Sequence, residues 1–426
     1  MSTRLRFPSF LTVRQQFESR RIDDIPAAVQ ATLSESGMVA RLKPGATVAI
    51  GVGSRGIANI DVIARAAAAF WKQQGMQPFL FPAMGSHGAA TASGQAEVLA
   101  KYGITEATMG CPVRSSLAVA EVGVTAEGIR VVMDRTAWRA GGVMLCGRVK
   151  WHTDFEGALE SGLFKMMAIG LGKFAGAKRY HDYGYHMGLE AMIRSVGRVV
   201  LGSGRILGGL AILEDANHET ARVEAVPVEN MERREEELLA LAKSWMPRIP
   251  VDLDVLMVNE LGKNFSGSGL DAKVVNRGVW GAINPWAGQP QIGRIYVRGL
   301  SAQSYGNAAG MGMADVVHRR FLKAVKRRPT YLNCLTSSQP AAIRTPMHFA
   351  SDRECLEAIC GTVGRLDAAD LKMGWIANTL ELGRMALTEN LRGELEQRPG
   401  IEIEGPAREL AFDARGDLVD WLAGDA

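Results

Sequence analysis

The chain is poor in cysteine. Five occur in 426 residues, Cys111, Cys146, Cys334, Cys355 and Cys360, and no two form a CxxC pair. An odd, scattered set argues against a disulfide framework and a thiolate zinc centre, and suits a reducing compartment. Net charge is also small, +4 from 49 basic and 45 acidic residues. Whole-chain electrostatics therefore make no case for nucleic-acid binding. Long apolar runs are missing. The richest, near residues 62–70, is short and carries Arg65, so it reads as a core-facing helix and not a membrane span. The first twenty residues are charged throughout, without the apolar segment of a secretory signal. The expectation is a soluble, cytoplasmic protein with neither membrane nor nucleic-acid partner. No fixed-period repeat or low-complexity tract is visible.

Composition is otherwise globular, with 47% hydrophobic and 22% charged residues. The length allows two or three domains. Residues 23–36 read as an amphipathic helix with Asp23 or Asp24 at its start and Pro26 in its first turn. TVAI (47–50), a glycine loop and a helix ending near Gly75 follow. PFLFP (78–82), a loop with His87 and another helix repeat that order. Two such units imply a parallel sheet with functional loops at its carboxyl edge. Residues 111–140 read as short strands, 141–149 and 206–215 as buried strands, and 188–201 and 228–247 as helices. Pro247 and Pro250 close the last helix, and VDLDVLMVNELGKN (251–264) opens a new buried strand. The expected domains are therefore 1–247 and 248–426, both α/β with parallel or mixed sheets. The second should end in an acidic helix.

Several residues carry chemistry. Gly51-Val52-Gly53-Ser54-Arg55-Gly56 is a GxGxxG between strand and helix, where backbone N–H groups and Arg55 would suit a phosphate. The next strand offers no acidic residue for a ribose, which disfavours NAD. His87 lies in Gly85-Ser86-His87-Gly88 at a strand end, before a helix that Thr91 can cap. The rarest concentration is residues 147–186. It holds three of the seven histidines (His152, His181, His186) and four lysines on a glycine-punctuated frame, so it cannot be one regular helix. His152, Asp154 and Glu156 alternate; extended, they would share a side and suit a divalent metal, with a charged loop or a general base as the other readings. Lys165 stands among Leu163, Phe164, Met166, Met167 and Ile169. If buried, its amine becomes neutral and nucleophilic. His181 follows, with Asp182 beside it to orient an imidazole.

These residues carry a resemblance. RVKWHTDFEGALESGLFKMMAIGLGKFAGAKRYH (148–181), with the GSRG and GSHG loops, resembles the nickel-dependent lactate racemase family over most of residues 10–215. The likeness continues more loosely into the second domain. It implies a nickel pincer nucleotide (pyridinium-3,5-bisthiocarboxylic acid mononucleotide nickel) covalently attached to Lys165, with His181 as the nickel ligand. It further implies His87 and His152 as two acid/base groups on opposite faces of a 2-hydroxy acid. Hydride would pass from the carbinol carbon to the cofactor and return on the other face. Gly53, Ser54 and Arg55 would hold cofactor, and Arg55 with Lys263 the substrate carboxylate, in a cleft between the domains. Cofactor-maturation enzymes are the implied partners. The chain departs from the lactate pattern: Gly51, Val52 and Gly53 stand where an aspartate is expected, Gly88 where an arginine is, and the gap from His152 to Lys165 is longer. These differences point to a 2-hydroxy acid other than lactate. Two alternatives stand beside this reading: an NAD-dependent oxidoreductase, and a non-catalytic nucleotide- or metabolite-binding protein.

Overall fold

The computed structural model describes residues 5–53 and 56–422. They divide into two compact units, one spanning Glu18–Met246, the other combining the residues up to Phe17 with those from Pro247 onward. The first strand, β1 (Phe10–Gln15), thus joins the C-terminal unit, unlike the expected 1–247 grouping. Phe10 is fully buried in that unit's core, beside Val255, Trp375 and Ala386, which explains the recruitment.

The unit from Glu18 begins with helix α1 (Ile25–Glu35), where Asp24 accepts from Ala27 N at 2.9 Å and caps the first turn. Strand β2 (Thr47–Val52), helix α2 (Ile60–Gln73), strand β3 (Gln77–Pro82) and helix α3 (Ala92–Lys101) follow. After a one-turn helix α4 (Glu106–Met109) come the ribbon β4 (Val119–Val124) and β5 (Arg130–Asp134), then the short α5 (Arg135–Trp138) and β6 (Gly142–Arg148). The helical stretch α6 (Leu163–Lys165) and α7 (Leu171–Met187), then α8 (Leu189–Gly202), lead to β7 (Ile206–Glu214), β8 (Thr220–Pro227) and α9 (Met231–Trp245). The sheet order is β3-β2-β6-β7-β8, parallel except for β8.

Both faces of this sheet are covered, so its strands read as continuous apolar runs. Alternation sends Val48, Ile50 and Val52 into the core under α1 and α2, and Ala49 into the core under α7, α8 and α9. Phe79 and Phe81 share the second core; Leu80 joins the first. Each such large side chain contributes about 1.5–3 kcal/mol on burial. That leaves the carboxyl ends of β2, β3 and β6 as neighbouring loop sites, the usual place for chemistry in a parallel sheet.

The other unit carries β9 (Leu253–Leu261), β10 (Ile292–Leu300), β11 (Val316–His318), helices α10 (Arg319–Ala324) and α11 (Arg327–Thr336), and β12 (Met347–Phe349). Helix α12 (Asp352–Cys360), β13 (Met373–Ile376), β14 (Arg384–Thr388) and β15 (Ile401–Arg408) complete it. The sheet order is β12-β11-β10-β9-β13-β14-β1-β15, parallel through β13 and antiparallel beyond. The expected acidic C-terminal helix is reduced to one turn, α13 (Arg392–Leu395), after which Ile401-Glu402-Ile403-Glu404 alternates with period two and pairs with β1 as β15. Among the described residues, no helix is long and apolar enough to cross a membrane.

Candidate active site

The focal stretch is helical but broken. Gly162 precedes α6 in an extended conformation, where a Cβ would fall 2.1 Å from Glu235 Oε1. The Glu235 carboxylate accepts from Phe164 N at 2.9 Å, satisfying a donor at the start of the helix. Complete burial pushes the Glu235 carboxyl up to about 8, against the pull of that bond. Residues Met166–Gly170 form a π turn, a form frequent at functional sites. Within α7, Lys173 adopts φ 54 and ψ −163. That region is nearly reserved for glycine and costs about 1–3 kcal/mol.

In a straight helix Lys165 and His181 would lie roughly 24 Å apart, beyond the range of ordinary screened charge interactions. Instead the His181 imidazole is pushed down to about 4, first by burial and then by the positive charge of Lys165, with Asp182 opposing. Lys165, whose apolar flanks left its burial open, is half-buried. His181 is neutral at physiological pH, with a ring nitrogen available to a metal.

Lys173 holds the break and was not singled out by the sequence. Its side chain has no solvent exposure. Its Nζ lies 3.1 Å from Asp134 Oδ2 and donates to Pro82 O at 2.5 Å and Gln95 Oε1 at 3.2 Å. Burial lowers the ammonium's pKa, and Asp134 counters it. Removing either charge alone strands the other, at about 3–5 kcal/mol. Tyr180 secures the next turn: its ring lies where Cβ atoms on Gly172 or Gly176 would come within 2.8 Å, and its hydroxyl accepts from Val132 N at 2.9 Å. The bracketing glycines were the only sequence signal of this packing.

The loop after β3 bears His87, half-buried. Gly85 lies against α7 and the π turn; a Cβ there would meet Ile169 Cγ2 at 2.9 Å and Ala177 Cβ at 3.1 Å. Gly88 has φ +60, and its Cβ would collide with the Gly94 backbone at 2.3 Å. Gly88 therefore stands where no arginine fits. Thr91 caps α3 by accepting from Gly94 N at 3.0 Å, as expected. After β2, Gly53 N donates to Cys146 O at 3.1 Å, and a Cβ on Gly53 would approach Met166 Sδ, next to Lys165, at 4.0 Å. Ser54 and Arg55 lie outside the described residues.

His152 follows β6 in a loop closed by a Lys150–Ser161 bridge. Glu160, buried, accepts from His152 N and from Gly157 N (3.2 Å) and pairs with Lys243 at 2.5 Å. Of the three readings of His152-Asp154-Glu156, the extended ladder is not formed. The chain bends so that Asp154 N donates to His152 Nδ1 at 3.1 Å, and the imidazole lies over Phe155 at 4.5 Å. With Nδ1 accepting, the neutral ring carries its proton on Nε2.

In the other unit, Lys263 follows β9. Its N donates to Ser304 Oγ at 2.8 Å and its ammonium to Gly267 O. Among the described residues one histidine–carboxylate group has metal-like spacing, His318, Asp352 and Asp417. Asp352, however, already accepts from Arg298 (Nη2 at 3.0 Å), Arg320 (2.9 Å), Tyr296 and Leu418 N, so its lone pairs are committed. It is a structural ion-pair network.

No protein-family model matches the chain, and no curated protein matches it in sequence. Among solved structures it is similar to the lactate racemase apoprotein from Thermoanaerobacterium thermosaccharolyticum, with a TM-score of 0.50 and 11% identity. The likeness covers 86% of this chain and 100% of that one. At that identity it shows a shared α/β fold.

Proposed function

We propose that the protein is a racemase or epimerase of a 2-hydroxy acid that works with a nickel pincer nucleotide, in a reducing cytoplasm. The observation that carries this reading is the electrostatic coupling of Lys165 to His181, which stand on either side of the break at Lys173. A half-buried lysine whose charge acts on a neutral imidazole fits the donor set that a lysine-tethered, histidine-ligated nickel group requires. The fold likeness to a lactate racemase supports a racemase-type activity. Lys165 would hold the group covalently and His181 would ligate its nickel, with Gly53, Ser54 and Arg55 the loop residues assigned to the rest of it. When bound, that group supplies a reversible hydride acceptor, which lets a carbinol carbon pass through a planar keto state.

The chain's own residues handle the protons and the charge. His87 and His152 come from two different strand ends, as two acid/base groups for two enantiomers should. The bond from Asp154 N to His152 Nδ1 leaves Nε2 as that ring's working atom. Arg55 and Lys263 are the cations assigned to the substrate carboxylate. Cofactor-maturation enzymes are the partners this reading requires.

An NAD-linked oxidoreductase fits less well. Dinucleotide sites place a phosphate at the helix start, but here Glu214 accepts from Ala58 N at 2.8 Å beside the start of α2. The end of β3, Pro82-Ala83-Met84-Gly85, also lacks the ribose-binding acid.

The test is co-expression with the cofactor-making enzymes, followed by nickel analysis, intact mass and a racemisation screen on 2-hydroxy acids. The expected result is about one nickel per chain, an adduct mapping to Lys165, and turnover on a panel member. A chain with neither nickel nor adduct would falsify the reading.

A further inference from the structure

Lys173 combines two costs that rarely coincide: a backbone conformation that L residues avoid and an ammonium removed from water. Glycine would adopt φ 54 and ψ −163 without strain, so the compensation must come through the lysine side chain. Its partners show where that compensation goes. Nζ donates to the carbonyl of Pro82, the last residue of β3, and to Gln95 Oε1. Gln95, itself fully buried, donates from Nε2 to the carbonyls of Met84 and Gly85, each at 3.0 Å. Lys173 and Gln95 together hold three carbonyls among residues 82–85, and Ser86-His87 come next in the chain. On its other side, the same ammonium is anchored by Asp134, whose Oδ1 accepts from Thr136 N and Ala137 N at 2.7 and 3.0 Å. The residue that breaks the helix between Lys165 and His181 is thus the residue that fixes the approach to His87.

We propose that Lys173 is a positioning residue: through its buried ammonium and Gln95 it locks the His87 loop against the broken helix that presents Lys165 and His181. Lys173 touches no substrate in this account. It sets the distance between a proton-transfer group and the residues that hold the cofactor. The catalytic consequence rests on the racemase reading above, whereas the mechanical tie between Lys173 and the loop does not.

The experiment uses the full chain carrying Lys173→Gly with Asp134→Asn. Glycine keeps the backbone break without strain, and asparagine leaves no uncompensated buried charge. A second variant, Gln95→Met, keeps the Lys173–Asp134 pair but severs the bonds to the 84 and 85 carbonyls. Hydrogen exchange over residues 83–91 should accelerate in both variants while the β2 and β7 strands stay protected. In cofactor-loaded protein, nickel content and the Lys165 adduct should match wild type. kcat should fall about 100-fold with KM nearly constant, the scale of an ångström-sized misplacement. Unchanged loop exchange, or unchanged kcat, in both variants overturns the proposal. Loss of the adduct alongside kcat also overturns it, because Lys173 would then serve the cofactor segment and not the His87 loop. If wild-type protein takes up neither nickel nor adduct, the racemase reading fails, and the exchange data still decide the tie by themselves.

Discussion

Lys165 and His181, sixteen residues apart in sequence, are electrostatic neighbours: the lysine's charge helps depress the imidazole to about 4. Between them the positive-φ backbone at Lys173 interrupts the helix. A lysine and a histidine on a straight helix at this spacing would serve separate surfaces.

The two should therefore fail in different ways. Lys165→Ala is expected to abolish the mass adduct while the far-ultraviolet dichroism is unchanged, because the side chain is only half-buried. His181→Ala should keep the adduct on Lys165 and lose nickel, read by intact mass and metal analysis on the same sample. Loss of neither signal in either variant would sink the assignment.

His87 and His152 belong to loops after different strands, so neither should affect cofactor loading. Each single alanine variant is expected to retain nickel and lose racemisation by about 10²–10⁴-fold, the usual weight of an acid/base group. Chiral chromatography of product measures it; a variant with wild-type turnover removes that histidine from the mechanism.

Gly88→Ala addresses the loop and not the chemistry. Positive φ and a 2.3 Å clash with the Gly94 backbone should force the turn at Gly88 to move. The expected cost is about 1–3 kcal/mol in thermal or denaturant unfolding. Turnover should suffer as well, because His87 is the adjacent residue. An alanine variant of unchanged stability would show that the turn is not held as the structure has it.

Glu235 makes the protein sensitive to base. Its folded pKa, about 8, lies above the ordinary carboxylate value of 4.5, so the folded state holds the proton more tightly than the unfolded chain. Stability associated with that proton is present at low pH and is lost as pH rises from about 4.5 through about 8. Glu235→Gln should remove this dependence. The difference in Tm between variant and wild type should grow over that window and level off above it. A difference independent of pH would show that Glu235 is ionised in the folded protein.

Much of the fold was legible because it is encoded locally. TVAI and PFLFP followed by glycine loops and helices specify parallel strands, and Pro247 with Pro250 ends α9 where the chain passes into the second sheet. The misread elements depend on distant partners. Residues 10–15 show no strand signal of their own until β14 and β15 flank them, and the alternation at 401–404 becomes a strand because β1 offers an edge. HTDFE left an extended metal ladder, a charged loop and a general base open, because alternation is all that a sequence displays. In the structure the loop bends, with the His152 N–H donating to Glu160 and the Asp154 N–H to the His152 ring.

The site divides in the same way. Sequence alone determined which side chains carry chemistry, and that Lys165 stands in apolar surroundings with His181 downstream, since residue type and spacing are written in the chain. It also required a glycine-broken backbone there. Tertiary structure alone decided that Lys165 is only half-buried, that Lys173 is buried completely, and that the charge of Lys165 acts on His181. Those outcomes depend on Asp134, Gln95 and the Pro82 carbonyl, contributed by segments 39 to 91 residues away in sequence. A buried charge is tolerated only where such distant groups converge on it, and no local pattern records that convergence.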